Sequence, residues 1–139
     1  MPLHLDIVTP ERKVFSDEVD NVYLPGSDGE LGVLPMHAGV VTALQPGELR
    51  YLHNGEVLTL AIGSGFAEIT QTHVVVLTDM ALGEAEIDVS QAEAAITRAQ
   101  EELHGVDHSM DAEENAYLQG VIAKSTVALQ FKRKGKGRD

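Results

Sequence analysis

Two hydrophobic periods divide the chain. From Leu3 to Leu82, apolar residues recur in short alternating runs punctuated by turn residues, beginning with Leu3-His4-Leu5-Asp6-Ile7 and its stop at Thr9-Pro10-Glu11. Val19 to Leu24 reads as a strand before Pro25-Gly26, and Val74-Val75-Val76-Leu77-Thr78 as another after Gln71-Thr72-His73. The clearest hairpin joins Leu49–His53 to Glu56–Ile62 through Asn54-Gly55, which supplies the two positive-φ residues of a type I′ turn. Many short strands at close spacing predict an antiparallel β-sandwich or flattened barrel.

Beyond Gly83 the period becomes helical. Asp88 is placed to cap a first helix, with Gln91 completing a capping box, and Val89, Ala92, Ile96, Ala99 and Leu103 form one narrow apolar stripe. The turn His104-Gly105-Val106-Asp107-His108 ends it. Ser109 is the expected cap of a second helix carrying Tyr117, Leu118, Val121, Ile122 and Leu129, antiparallel to the first because the connection is so short. The chain thus divides into a β-sandwich over residues 1–84 and a two-helix hairpin over 85–139. Alanines at 92, 95 and 99 bury little area, so the hairpin leans on the sandwich and is a detachable element.

Charge sharpens this division. Of ten Lys and Arg residues, five (Lys132, Arg133, Lys134, Lys136 and Arg138) lie in residues 131–139, read as a basic tail. The rest carries five bases against twenty-one acids, a balance of −16 that repels nucleic acid and anionic lipid. Only the tail is suited to an acidic partner. No apolar run is long enough to span a bilayer, and the start lacks the layout of a signal peptide, so a soluble cytoplasmic protein is expected. The absence of cysteine removes disulfides and thiolate chemistry.

The residues offer little catalysis. Gly26-Ser27-Asp28-Gly29-Glu30-Leu31-Gly32 has neither dinucleotide-binding nor P-loop spacing, and its glycines suit turns. Gly63-Ser64-Gly65 lacks the spacing of a nucleophile elbow and reads as a bend between strands. His104 and His108, with Asp107, have the spacing for a metal on one helix face, but Gly105 breaks such a helix. We expect no catalytic residues, cofactor or metal.

The stretch Leu24-Pro25-Gly26-Ser27-Asp28-Gly29-Glu30-Leu31-Gly32-Val33-Leu34-Pro35-Met36-His37-Ala38 resembles the signature of the epsilon family of F-type ATP synthase subunits, a G-E-L-G-x-x-P-x-H-A pattern. Ile7-Val8-Thr9-Pro10-Glu11, Leu44-Gln45-Pro46-Gly47-Glu48-Leu49 and Gly65-Phe66-Ala67-Glu68-Ile69 extend the resemblance over nearly the whole chain. It implies a β-sandwich followed by a helical hairpin. It also implies a non-catalytic central-stalk subunit whose sandwich binds the gamma subunit and sits on the c-subunit ring, with Glu30, Leu31, Met36 and His37 contacting the ring. The hairpin would extend toward the alpha and beta subunits and inhibit ATP hydrolysis, its basic residues Lys132, Arg133, Lys134, Lys136 and Arg138 meeting an acidic segment of beta. Location at the cytoplasmic face of the bacterial inner membrane, peripheral and only through the complex, follows from the same resemblance. One departure concerns nucleotide. ATP-binding members carry I/L-D-x-x-R-A, and here Met110-Asp111-Ala112-Glu113-Glu114-Asn115 puts Glu114 in the arginine slot, so ATP binding is not expected. From another class, the residues also fit a free-standing β-sandwich adaptor with a helical docking hairpin.

Overall fold

The structure is a computed structural model that describes residues 3–33, 39–105 and 111–136, the last of them by its backbone. Among the described residues ten strands come first: β1 Leu3–Val8, β2 Lys13–Val19, β3 Asn21–Gly26, β4 Gly29–Val33, β5 Val40–Leu44, β6 Gly47–His53, β7 Glu56–Ile62, β8 Gly65–Ile69, β9 His73–Thr78 and β10 Ala81–Leu82. A 3₁₀ turn, Glu84–Glu86, leads to helices α1, Val89–Leu103, and α2, Ala112–Lys136. The strands follow one hydrogen-bonded path, β10-β7-β6-β3-β5-β8-β9-β1-β2, with β4 added to β3. Folded on itself where β3 meets β5, at Gly26 with Leu44, this path makes two layers. Leu5, Ile7, Ala67, Ile69, Val74 and Val76 of one layer share a sealed core with Val22, Leu24, Leu49, Tyr51 and Ile62 of the other. β1 runs parallel to β9 and antiparallel to β2.

Alternation accounts for most of this. Leu3, Leu5 and Ile7 are fully buried while His4, Asp6 and Val8 point the other way. Asn54 at φ 52° and Gly55 at φ 80° make the expected β6–β7 turn. The run from Val19 to Leu24 is two strands, because Val19 ends β2, Asp20 turns the chain, and Asn21 opens β3. Gly26 to Gly32 is strand rather than loop over most of its length: Ser27 and Asp28 form the turn, and Gly29 at φ 122° takes up the backbone geometry that a side chain resists.

The hairpin lies on the outer surface of the β6–β7–β10 layer. Ala61, which β7 turns away from the sandwich core, is sealed beneath Ile87, Ala128 and Phe131, with Met80, Leu82 and Val127 around them. Asp88 caps α1 by accepting the Gln91 N–H at 3.1 Å, and no reciprocal bond from the Gln91 side chain completes a box among the described residues. Of the predicted α1 stripe only Ala99 is buried; the rest is half-covered. Ser109 lies outside the described residues, and the cap of α2 is Asp111, whose carboxylate accepts the Glu114 N–H at 2.8 Å. Tyr117 is 69% exposed, so it does not belong to the packed face. Leu118 and Leu129 do, joined by Ala128 and Phe131, which the stripe had omitted. The basic tail is likewise corrected. Helix α2 continues through the basic segment to Lys136, with Phe131 as the buried anchor inside it.

Candidate interaction surfaces

Three surfaces follow from this arrangement. The first is the outer side of β5, β8 and β9, the layer that α2 leaves uncovered. Register places Ala43, Phe66 and Leu77 in one row and Val41, Glu68 and Val75 in the next. Phe66, Leu77 and Val41 are 61%, 53% and 68% exposed, an apolar cluster where alternation would ordinarily put polar side chains. Beside it, Val8, Pro10, Gly65 and Leu77 line a shallow groove of about 360 Å³. Sequence reading missed this surface because an outward apolar residue is recognisable only when the register is known.

At the rim of the same layer sits a polar group. His4 and His73 face each other across β1 and β9 with ring centroids 5.3 Å apart. His4 Nε2 lies 3.2 Å from the Ser16 hydroxyl and 3.5 Å from the Asp6 carboxylate. The Ser16 hydroxyl, with His4 and Lys13 helping and burial opposing, holds the Asp6 carboxyl below its ordinary value. Between the layers at the open edge, His53 Nε2 meets Asp17 at 3.0 Å. The Glu18 backbone N–H and then His53 lower the Asp17 carboxyl in turn.

The second surface is the β3–β4 hairpin. Glu30 lies on β4, one residue past the turn glycine, and is exposed, yet it is held by Arg50 at 2.8 Å. The Arg50 guanidinium also stacks 4.8 Å from the Tyr23 ring centre, and Tyr23 lies against Gly32. Glu30 is therefore an oriented carboxylate rather than a freely solvated one on a turn. Leu31 pairs with buried Leu24 and packs onto the core, so Glu30 alone of the two projects outward. Met36 and His37 lie outside the described residues.

The third surface is the seam between α2 and the sandwich. Lys134 Nζ meets Glu48 Oε2 at 2.9 Å, Lys132 Nζ donates to the Glu84 carbonyl at 3.0 Å, and Lys124 Nζ stands 3.6 Å from Asp79. Arg133 is exposed on the same last turns. Arg138 and the Lys136 side chain lie outside the described residues. The 3₁₀ turn is itself fixed, because the Glu86 carboxylate accepts the Gly83 N–H at 3.0 Å and the Arg12 guanidinium at 2.6 Å. Glu48 stands in the sequence only as part of the Leu44–Leu49 resemblance and Glu84 not at all, since nothing in their spacing links them to residues near position 133.

Of the chemical candidates, Ser64 gives its carbonyl to the Thr78 hydroxyl at 3.0 Å, in the bend between β7 and β8. Asp107 and His108 lie outside the described residues. No group of three or more His, Asp or Glu side chains suited to a metal exists among the described residues. At the hairpin tip, Glu102, Glu113 and Glu114 line a depression with Tyr117 and Leu118. No helix is long and apolar enough to cross a membrane among the described residues.

Comparison with known proteins gives a consistent picture. The family described as ATP synthase, Delta/Epsilon chain, beta-sandwich domain matches residues 2–84. The ATP synthase epsilon chain of Herpetosiphon aurantiacus is 38% identical over 138 residues, covering 99% of both chains. That of Desulforamulus reducens is 48% identical over 107 residues, covering 77% of this chain and 81% of its own. Among solved structures, a chain of the Euglena gracilis mitochondrial ATP synthase superposes with a TM-score of 0.71 at 21% identity, over 93% of this chain and 80% of that one. A chain of the Tetrahymena thermophila ATP synthase central stalk and c-ring gives 0.62 at 9%, over 95% and 97%. At these identities the two structures speak for the fold.

Proposed function

Because the chain belongs to the ATP synthase epsilon chain family, we propose that it is a non-catalytic rotor subunit joining the c ring to the catalytic head through gamma. The observation that carries this reading is the exposed apolar cluster of Val41, Phe66 and Leu77, on the layer that α2 leaves bare. A sandwich with one outer surface occupied by its own helix and the other apolar and open is suited to a permanent partner, and gamma is the occupant proposed. Glu30, fixed by Arg50 on the β3–β4 hairpin, is the group proposed to meet the polar loops of the c ring, with Met36 and His37 as further contacts. Membrane attachment, at the cytoplasmic face in a bacterium, would then come through the complex.

Inhibition of ATP hydrolysis is assigned to the hairpin, through extension toward alpha and beta. Its support is the modest seam, a small apolar cluster plus exposed ion pairs, against the sealed core of the sandwich. The tip argues against nucleotide there, because three glutamates would repel a polyphosphate. The adaptor alternative predicts no affinity for ATP synthase subunits.

The test is reconstitution with the gamma-containing catalytic complex. Phe66→Glu with Leu77→Glu should abolish co-purification with gamma while the sandwich remains folded. A chain ending after Gly83 should still bind and should release hydrolysis. Retention of gamma by the folded double variant would overturn the assigned surface, and equal hydrolysis with full-length and shortened chains at equal occupancy would overturn the inhibitory role.

A further inference from the structure

On the open layer, one carboxylate stands inside the apolar rows. Register carries Val41, Glu68, Val75 and Asp6 across β5, β8, β9 and β1 in a single outward row, with Phe66, Leu77 and Val8 in the next. Glu68 therefore has a valine on each side, about 5 Å away, and Phe66 two residues before it on its own strand. Asp6, two strands along, is already attended by His4 and Lys13. Glu30, Glu48 and Glu86 are each held by an arginine or lysine of the chain itself. Glu68 is exposed and makes no hydrogen bond or ion pair among the described residues. A carboxylate at the rim of an apolar surface keeps its water when a partner docks. One among the rows loses it, and an unpaired, desolvated carboxylate strongly opposes docking.

We propose that Glu68 selects what covers this surface: the partner presents a lysine or arginine among apolar side chains, and that cation pairs with the Glu68 carboxylate as both lose water. An all-apolar partner is refused, because it would strand the carboxylate. A second copy of the chain is refused as well, since a two-fold contact centred here brings Glu68 against Glu68. The surface thus stays open in the free chain despite its exposed phenylalanine, leucine and valine. Under the rotor reading above, on which the choice of partner rests, the cation belongs to gamma.

The measurement is binding of the full chain to the gamma-containing catalytic complex stripped of its own epsilon chain, with association and dissociation rates followed separately. Glu68→Gln keeps the side chain's size and Glu68→Leu continues the apolar rows. Neither breaks a hydrogen bond or ion pair among the described residues, so thermal unfolding should stay at the parent value. Glu68→Gln should raise Kd at least about tenfold, chiefly through faster dissociation, because the pair acts in the docked state. Glu68→Leu should weaken binding by at least as much although it adds apolar area, and Glu68→Lys by at least about a hundredfold. Changing gamma's surface lysines and arginines to glutamate one at a time should restore Glu68→Lys at one position, which identifies the cation. Alone in solution, Glu68→Leu should sediment further toward dimer than the parent. Selection is overturned if Glu68→Leu binds the complex as tightly as the parent, if Glu68→Gln alters association alone, or if no gamma substitution restores Glu68→Lys. Sedimentation of Glu68→Leu identical to the parent overturns the refusal of a second copy. Should Phe66→Glu with Leu77→Glu keep the complex, the rotor surface and the role of Glu68 fall together. Should that variant lose it while Glu68→Leu keeps it, only the role of Glu68 falls.

Discussion

The core of the sandwich and the seam beneath α2 are both apolar, but they are built to different depths. Among the described residues the sandwich core has eleven large side chains under 2% exposed, and it is shared by strands from both layers. The seam buries Ala61, Ile87, Ala128 and Phe131 among the described residues, with Met80, Leu82 and Val127 half-covered around them and lysines at its edge that reach exposed acids. Burial of a large apolar side chain contributes roughly 1.5–3 kcal/mol, whereas an exposed ion pair contributes about 0–1. By these magnitudes the seam is the weaker of the two interfaces within a single chain of 139 residues.

Substitutions sharpen that contrast. The largest effect is expected at Ile62, fully buried between the layers: Ile62→Ala should cost about 2–5 kcal/mol in denaturant unfolding and lower sandwich and hairpin together. Phe131→Ala should remove roughly 1.5–3 kcal/mol from the seam alone. Hydrogen exchange would show α2 losing protection while β1 and β9 keep theirs. If both regions lost protection equally, the two interfaces would be one cooperative unit. Asp88→Ala, which removes the cap of α1, should cost about 1 kcal/mol of hairpin helicity, read by circular dichroism, and leave the sandwich unchanged.

The smallest effect concerns pH and belongs to the sandwich rim. Asp6 and Asp17 are depressed below the ordinary value of 3.8 in the folded chain. A carboxyl of lowered folded pKa contributes its stability above the unfolded pKa and loses it as pH falls through the folded one. Thermal stability should therefore decline as pH drops below about 4. Asp6→Asn should be less stable at neutral pH and show a shallower acid decline. An identical acid profile for Asp6→Asn would remove this carboxyl from the account.

What was legible in the sequence follows the same division. Strand alternation in Leu3–Ile7 and the Asn54-Gly55 turn are local signals, and they located β1, β6 and β7 closely. The helices were legible as elements but not as a packed pair. Tyr117 falls on the apolar phase yet faces solvent, and Phe131 looked like the start of a tail because the charges after it mask its helical period. The partners of Lys132 and Lys134, and the outward phase of Phe66 and Leu77, depend on which strands meet. Tertiary register decides that, and short-range spacing does not carry it.

The pairing of β1 with β9 has a consequence for how the molecule is made. It joins His4 to His73, so β1 cannot complete both its edges until nearly the whole sandwich has emerged. Such distant closure slows folding, because the intervening loop must be ordered before the contact rewards it. In the meantime β1 presents an unpaired edge of alternating leucines, the kind of surface that recruits a second chain. Helices α1 and α2 emerge later and close rapidly on local contacts. Their contact with Ala61 of β7 is again long-range, so the seam, like the β1–β9 pair, forms late.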